Sequence, residues 1–205
     1  MIRAKICGLR DLESARVAVE AGADFVGFVF APTRRYVSPD LAASIIRQLP
    51  GSVRKIGVFV NEEPETIRLI ARTCCLDYVQ LCGDESPDFC RELGVPAVKS
   101  LPARGPEVAE EVERYTGAVA WCILDGFQPN SHGGTGTAFD WEIARPIARR
   151  RLVMIAGGLT PENVAMAISV ARPWGVDVSS GVETDGQKDA AKIAAFVAAV
   201  RHASC

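Results

Sequence analysis

Eight short apolar runs recur along the chain, separated by stretches with helical periodicity, and they constrain the fold more than any other feature. Each run is nearly continuous in apolar residues, as expected of parallel strands that are covered on both faces. The runs lie at residues 3–7, 25–30, 55–60, 77–81, 96–100, 119–125, 152–156 and 175–179. The helical stretches include 11–21, 39–48, 64–73 and 161–171, and several begin with residues that favour a helix start.

This strict alternation predicts an α/β protein with a single (β/α)8 TIM barrel that spans residues 1–205. A doubly wound open sheet is the alternative, but such sheets more usually have about five or six strands. A length of 205 residues is sufficient for one substantial core, although it is short for an eightfold barrel. In a barrel the carboxyl ends of the strands share one face, so catalytic residues are expected there.

Charge and cysteine content favour a small-molecule enzyme over several other classes of protein. A net charge of −2 gives no electrostatic attraction to nucleic acid or to an anionic membrane. No run reaches the length of a membrane span, and the N-terminal residues lack a secretion signal, so we expect a cytoplasmic location. The seven cysteines are then expected to be reduced thiols. Two histidines and no Cys-x-x-Cys pair predict no metal site.

Two ionisable residues stand where predicted strands end. Cys7 ends the first run and precedes Gly8, and Asp125 ends the sixth run. A small buried apolar residue is the alternative interpretation of Cys7, and a loop-capping carboxylate is that of Asp125. If both face the mouth of the barrel, one group can take a proton while the other gives one, which is the division of labour in general acid-base isomerisation.

Glycine and serine residues follow the last two predicted strands. Gly157 and Gly158 come after the seventh run, and Ser179, Ser180 and Gly181 come after the eighth. Backbone N–H groups in these two loops of a barrel commonly bind a phosphate, although tight turning alone also explains a glycine pair.

The other candidate loops follow the second and sixth runs. Arg35, in the sequence Arg34-Arg35-Tyr36, is suited to a two-point contact with a carboxylate, and a solvated basic loop is the alternative. The glycine-rich segment 133–136 is suited either to folding over a substrate or to a simple flexible connection.

Taken together, these motifs resemble the phosphoribosylanthranilate isomerase family over nearly the whole chain. The motifs that carry the resemblance are KICGL (5–9), GFVF (27–30), RYVSP (35–39), GVFVN (57–61), LD (124–125), GGTG (133–136), FDW (139–141), GGL (157–159), PENV (161–164) and VDVSSGVE (176–183).

The resemblance implies an Amadori rearrangement in tryptophan biosynthesis, without metal or organic cofactor. N-(5-phosphoribosyl)anthranilate becomes 1-(2-carboxyphenylamino)-1-deoxyribulose 5-phosphate, with Asp125 as general acid on the ring oxygen and the Cys7 thiolate as base at C2′. Arg35 matches the arginine that faces the anthranilate carboxylate, and Asp177 matches a further site position. The glycine and serine loops match the phosphate loops, and the chain is expected to be a monomer or a homodimer.

One position departs from the family pattern: Cys82 stands where the family more usually has histidine, so we expect altered substrate contacts or local packing there. A thiol has an ordinary pKa of about 8.5, so Cys7 needs help from its surroundings, and Lys5 is a cation nearby in sequence. The alternatives are another phosphosugar isomerase or aldolase, a histidine-pathway aminoaldose as a further substrate, and a non-catalytic phosphosugar-binding barrel.

Overall fold

The computed structural model of the chain describes residues 1–126 and 139–203, and within them eight parallel strands form a closed barrel. Each strand pairs with the next, and the eighth pairs with the first. The strands are β1 (Arg3–Cys7), β2 (Phe25–Val29), β3 (Arg54–Phe59), β4 (Tyr78–Leu81), β5 (Ala97–Ala103), β6 (Cys122–Gly126), β7 (Val153–Ala156) and β8 (Gly175–Val178). The predicted (β/α)8 barrel is therefore confirmed.

A helix follows each strand. The helices are α1 (Leu12–Glu20), α2 (Pro39–Ile46), α3 (Pro64–Thr73), α4 (Pro87–Glu92), α5 (Val108–Arg114), α6 (Ala144–Ala148), α7 (Val164–Ala171) and α8 (Ala190–His202). Several helices have an N-cap residue whose side chain accepts hydrogen bonds from backbone N–H groups of the first turn: Asp11 caps α1, Ser38 caps α2 and Asp189 caps α8. Between β8 and α8, the two short strands β9 (Glu183–Thr184) and β10 (Gln187–Lys188) form a hairpin that the sequence analysis did not predict.

Three predicted boundaries were wrong by three residues. The fifth strand, predicted at 96–100, ends at Ala103, because it pairs with β6 as far as Gly126. The sixth strand, predicted at 119–125, begins at Cys122, because the preceding residues turn out of α5, with the Val119 N–H donating to Tyr115. The seventh helix, predicted at 161–171, begins at Val164. The N–H groups of Asn163 and Val164 both donate to the Thr160 carbonyl and close a turn that precedes the helix. None of these changes moves a candidate site residue away from a strand end.

The barrel interior is filled at its amino-terminal end by aromatic side chains. The Phe25 and Trp121 ring centroids lie 5.3 Å apart, and those of Trp121 and Trp174 lie 5.0 Å apart. Ile56, Val98 and other apolar residues complete this floor. A separate, larger core packs the helices against the outside of the strands. Because the floor is closed, the open space lies at the carboxyl ends of the strands.

Among residues 1–126 and 139–203, no helix is long and apolar enough to cross a bilayer. The six cysteines in this part of the chain are free thiols, which agrees with the expectation of reduced cysteines. Cys74 and Cys75 directly follow α3.

Candidate active site

A pocket at the carboxyl ends of the strands holds about 800 Å³ of space between atoms, part of it open to solvent. Every site residue predicted from the sequence lines it: Cys7, Arg35, Asp125, Gly157, Gly158, Asp177, Ser179, Ser180 and Gly181. The structure thus brings all of these residues together, while their roles in binding and catalysis stay predictions.

Cys7 is the last residue of β1 and only 8% exposed, and its side chain packs in the apolar cluster that contains Val29, Ala31 and Val58. A side chain on Gly27 of β2 would place its Cβ 2.9 Å from the Cys7 sulfur, so this glycine leaves room for the thiol. Burial raises the pKa of Cys7, although nearby lysine charge opposes this effect. The thiol is therefore both packed against apolar residues and placed at the pocket wall.

Asp125 is the fourth residue of β6 and partly buried, and it shares the pocket wall with Cys7. The strand that carries it pairs with β5 and β7, so the carboxyl group is held by a continuous sheet. The segment that follows, with the glycine-rich residues 133–136, lies outside the described residues, as does Cys205. The prediction that this segment covers a substrate stays a prediction.

Lys5 and Asp177 form a buried ion pair beneath Cys7. The Lys5 Nζ lies 2.9 Å from Asp177 Oδ2, and the side chains are 0% and 8% exposed. The two residues are register partners on β1 and β8. Burial alone would lower the pKa of Lys5, but Asp177 and Cys7 raise it above its ordinary value, so the lysine is charged. Among the described residues, no hydrogen-bond donor reaches Asp177 Oδ1, which leaves this buried acceptor for a ligand hydroxyl.

The loops after β7 and β8 touch each other. Gly157 and Gly158 have φ values of +87° and +64°, which favour glycine. A Cβ on Gly181 would lie 1.8 Å from the Leu159 carbonyl oxygen, so only glycine permits this approach. Asn163 fixes the first loop by donating to the Gly158 carbonyl over 2.8 Å. Both close contact and backbone conformation therefore require these glycines.

Arg35 is held by a carboxylate that the sequence analysis gave no role. Its guanidinium donates from Nε to Glu183 Oε1 over 2.7 Å and from Nη2 to Oε2 over 3.2 Å. Lys188 and Arg34 also donate to Glu183, over 3.0 and 2.8 Å. Burial would raise the pKa of Glu183, but these cations lower it to about 2. The Arg35 side chain is 11% exposed, so the alternative of a solvated loop is wrong for this residue.

Glu183 and Lys188 were missed because the strands β9 and β10 contain two residues each, which is too short for any periodic pattern. The Lys188 Nζ also donates to the Ser179 carbonyl over 2.8 Å, and the Ser179 hydroxyl donates to the Cys7 carbonyl over 3.1 Å. The hairpin therefore connects the Arg35 side of the pocket to the strand end that carries Cys7.

Cys82, at the position where histidine was expected, lines the pocket beside Gln80. The Gln80 side-chain amide donates to the Cys82 sulfur over 3.2 Å. Burial raises the pKa of Cys82 to about 12, so its thiol is neutral near pH 7. Gln80 Oε1 is buried, and no donor reaches it among the described residues, so Gln80 is a further candidate for a substrate contact.

The fold and this pocket define the class of protein as a (β/α)8-barrel enzyme with ionisable groups and glycine loops at the carboxyl ends of its strands. The family model for N-(5′-phosphoribosyl)anthranilate (PRA) isomerase matches residues 4–199. The chain therefore belongs to the PRA isomerase family, as its sequence motifs suggested.

Individual relatives agree with this assignment. The chain is 49% identical over 204 residues to an N-(5′-phosphoribosyl)anthranilate isomerase from Desulforudis audaxviator, covering 99% of this chain and 100% of the relative. It is similar to the crystal structure of phosphoribosyl anthranilate isomerase from Thermotoga maritima, with a TM-score of 0.88 and 40% identity over 98% of this chain and 100% of the other.

A further solved structure is of such an isomerase in complex with reduced 1-(o-carboxyphenylamino)-1-deoxyribulose 5-phosphate. Its TM-score to this chain is 0.85 at 39% identity, and the match covers 98% of this chain and 100% of that one. That relative therefore binds a ligand in which an aminated sugar phosphate carries a carboxyphenyl group.

Proposed function

We propose that this chain catalyses the Amadori rearrangement of N-(5′-phosphoribosyl)anthranilate to 1-(2-carboxyphenylamino)-1-deoxyribulose 5-phosphate. The observation that carries the proposal is that Cys7 and Asp125, on β1 and β6, share one pocket with the touching loops after β7 and β8. A phosphosugar-binding barrel without catalysis has no need of the two ionisable groups, so their presence favours the isomerase.

In the first step Asp125 gives its proton to the furanose ring oxygen. The bond between that oxygen and C1′ breaks, and the anthranilate nitrogen supplies the electron pair that forms a protonated imine. The Cys7 thiolate then takes the proton from C2′, and the C2′–H electron pair moves to give an enolamine. The enolamine gains a proton at C1′ and loses one from the 2′-hydroxyl, which gives the ketone.

The proposed binding residues hold the two anionic groups of the substrate. The loops that contain Gly157, Gly158, Ser180 and Gly181 bind the phosphate through backbone N–H groups, while Arg35 faces the anthranilate carboxylate. Because Glu183 binds Nε and Nη2 of Arg35, the Nη1 group is directed at the substrate. Asp177 Oδ1 and Ser179 contribute acceptors between these two ends.

A fluorescence assay tests the function. PRA is generated in place from anthranilate and phosphoribosyl pyrophosphate by the transferase, and its loss is followed after this protein is added. Fast loss with wild type, and slow loss with Cys7→Ala and with Asp125→Asn, is the expected result. Cys75→Ser, at an exposed cysteine outside the pocket, and Asp88→Asn, at an exposed aspartate, are matched controls that keep wild-type rates.

Folded wild-type protein that leaves PRA at its spontaneous rate of loss would contradict the function. Variants at Cys7 and Asp125 that both act as fast as wild type would contradict only the roles of these residues. We further propose that the enzyme works in the cytoplasm without metal or cofactor, as a monomer or homodimer, and does not act on nucleic acid. Sedimentation at several protein concentrations decides the oligomeric state.

A further inference from the structure

The Lys5–Asp177 ion pair takes no part in the reaction steps above, yet it lies directly below the proposed base. Lys5 and Cys7 are two residues apart on β1, and side chains alternate along a strand, so both point into the barrel. Asp177 is opposite Lys5 on the neighbouring strand and holds its ammonium group at 2.9 Å. The positive charge is therefore fixed beneath the thiol with no exposure to solvent.

The second fully buried lysine shows what a purely structural lysine looks like in this barrel. The Lys99 Nζ donates to the carbonyls of Leu81 and Gly83 and to the Glu85 carboxylate, which uses all three N–H donors of an ammonium group. The Lys5 ammonium donates to Asp177 Oδ2 over 2.9 Å, and a hydrogen bond with Cys7 also contributes to its raised pKa. Unlike Lys99, Lys5 therefore makes a hydrogen bond with an ionisable residue of the pocket wall, Cys7.

We propose that Lys5 is a positioning residue for the reaction: its ammonium group, held by Asp177, stabilises the Cys7 thiolate that takes the substrate proton. The proposal rests on the proposed function of Cys7 as a base. A neutral residue at position 5 would leave the thiolate facing apolar side chains and the Asp177 carboxylate, which both disfavour it.

The charges around Cys7 agree with this role. Burial raises the pKa of Cys7, Lys5 lowers it, Asp177 raises it and Lys188 lowers it. These three charged groups come from β1, β8 and β10, and Val29, Ala31 and Val58 are apolar neighbours from the other side. Lys5 lowers the pKa of Cys7 more than Lys188 does, so removing Lys5 is expected to raise that pKa further.

The test measures the ionisation of Cys7 without substrate. The rate at which iodoacetamide alkylates Cys7 is followed against pH by mass spectrometry of the peptide that contains it, in wild type, in Lys5→Met and in Lys55→Met. Lys5→Met is expected to raise the alkylation midpoint by about one unit or more, which corresponds to roughly a tenfold loss of thiolate below the midpoint. Lys55→Met, which removes a lysine at the start of β3, leaves the midpoint unchanged.

Asp177→Asn supplies a test of sign. It removes the negative charge and keeps Lys5, so the midpoint is expected to fall, opposite to Lys5→Met. General damage to the barrel would move both midpoints in the same direction. Lys5→Met alone could fail to fold because Asp177 is left unpaired. In that case Asp177→Asn is compared with the double variant Lys5→Met/Asp177→Asn. The double variant, which lacks the lysine, is expected to have the higher alkylation midpoint.

The kinetic readout separates this proposal from the proposed function. In Lys5→Met the acid limb of the kcat/KM profile is expected to shift upward by the same amount as the alkylation midpoint, with activity recovering at high pH. A midpoint that stays within about 0.3 unit of wild type in the lysine-free proteins overturns the role of Lys5. If Lys5→Met shifts the alkylation midpoint but wild-type protein does not isomerise PRA, the effect of Lys5 on Cys7 is supported and the proposed function is rejected.

Discussion

At the scale of single residues, Arg35 depends on a partner that does not touch the substrate in our proposal. Glu183 binds Nε and Nη2 of the guanidinium and thereby orients the group that faces the pocket. Glu183→Gln keeps the size of the side chain but removes its charge, so we expect KM for PRA to rise about tenfold with a smaller change in kcat. Steady-state kinetics on wild type and Glu183→Gln measure this split.

Glu65→Gln is the matched control, because Glu65 is an exposed carboxylate on α3 that pairs with the partly buried Arg68. Its kinetics are expected to equal those of wild type. An unchanged KM in Glu183→Gln, or an equal loss in the control, contradicts the positioning of Arg35 by Glu183.

Residues also show where sequence reasoning stops. Cys7 and Asp125 could be found from the sequence because each ends an apolar run, and strand ends converge in a barrel. Glu183, Lys188 and Gln80 could not be found in this way, since their importance comes from contacts with residues far away in the chain or from an unsatisfied buried atom. The role of Lys5 needed the register of β1 against β8.

At the scale of elements, the hairpin β9–β10 is held by the charge of Glu183 against Arg35, Arg34 and Lys188. The pKa of Glu183 is lowered from 4.5 to about 2 in the folded state. A lowered folded-state pKa means that this contribution to stability is fully present above about pH 4.5 and is lost as the pH falls toward 2. The melting temperature of wild type should therefore exceed that of Glu183→Gln near neutral pH, and the gap should close between about pH 4.5 and 2.

Thermal denaturation at a series of pH values measures the gap, and Glu65→Gln again gives the baseline. A gap that is constant down to pH 2 would contradict the assigned protonation. Because protonation of Glu183 also removes its ion pair with Lys188 of β10, proteolysis of the hairpin at low pH reports the same loosening.

The two phosphate loops form a second unit at this scale. Gly181→Ala places a Cβ where the Leu159 carbonyl oxygen lies, so the loops after β7 and β8 must move apart. We expect a loss of about 1–3 kcal/mol in the free energy of unfolding and a higher KM for PRA. Gly51→Ala, at a glycine with nothing within 4 Å of the added Cβ and an ordinary backbone conformation, is the control and is expected to be close to neutral. Urea denaturation compares the two, and equal stability contradicts the close approach.

Elements were predicted well in number and order, and less well at their ends. The boundaries before β6 and α7 are set by turn hydrogen bonds to Tyr115 and Thr160, and these bonds leave no trace in the pattern of apolar residues. Short strands such as β9 and β10 fall below the length at which alternation can be recognised.

At the scale of the whole molecule, the barrel separates stability from chemistry along its axis. Trp121 lies in the aromatic floor at the amino-terminal end, and Trp121→Ala is expected to lower the free energy of unfolding by about 3–5 kcal/mol through loss of buried area. The pocket is at the other end, so the folded variant should keep wild-type KM. Leu152→Ala, at a half-exposed leucine, is the control with a small effect. Kinetics and urea denaturation on the same preparations check both statements, and a KM change as large as that of Glu183→Gln would contradict the separation.

The aromatic floor also decides how molecules enter and leave. In the part of the chain that the structure describes, Phe25, Trp121 and Trp174 fill the barrel between the amino-terminal ends of the strands, so a ligand enters at the carboxyl ends. The ketose must depart through the opening by which the aminoaldose arrives, and the two cannot occupy the barrel at the same time. Accumulated product is therefore expected to inhibit competitively: it binds the free enzyme and not the enzyme that already holds substrate.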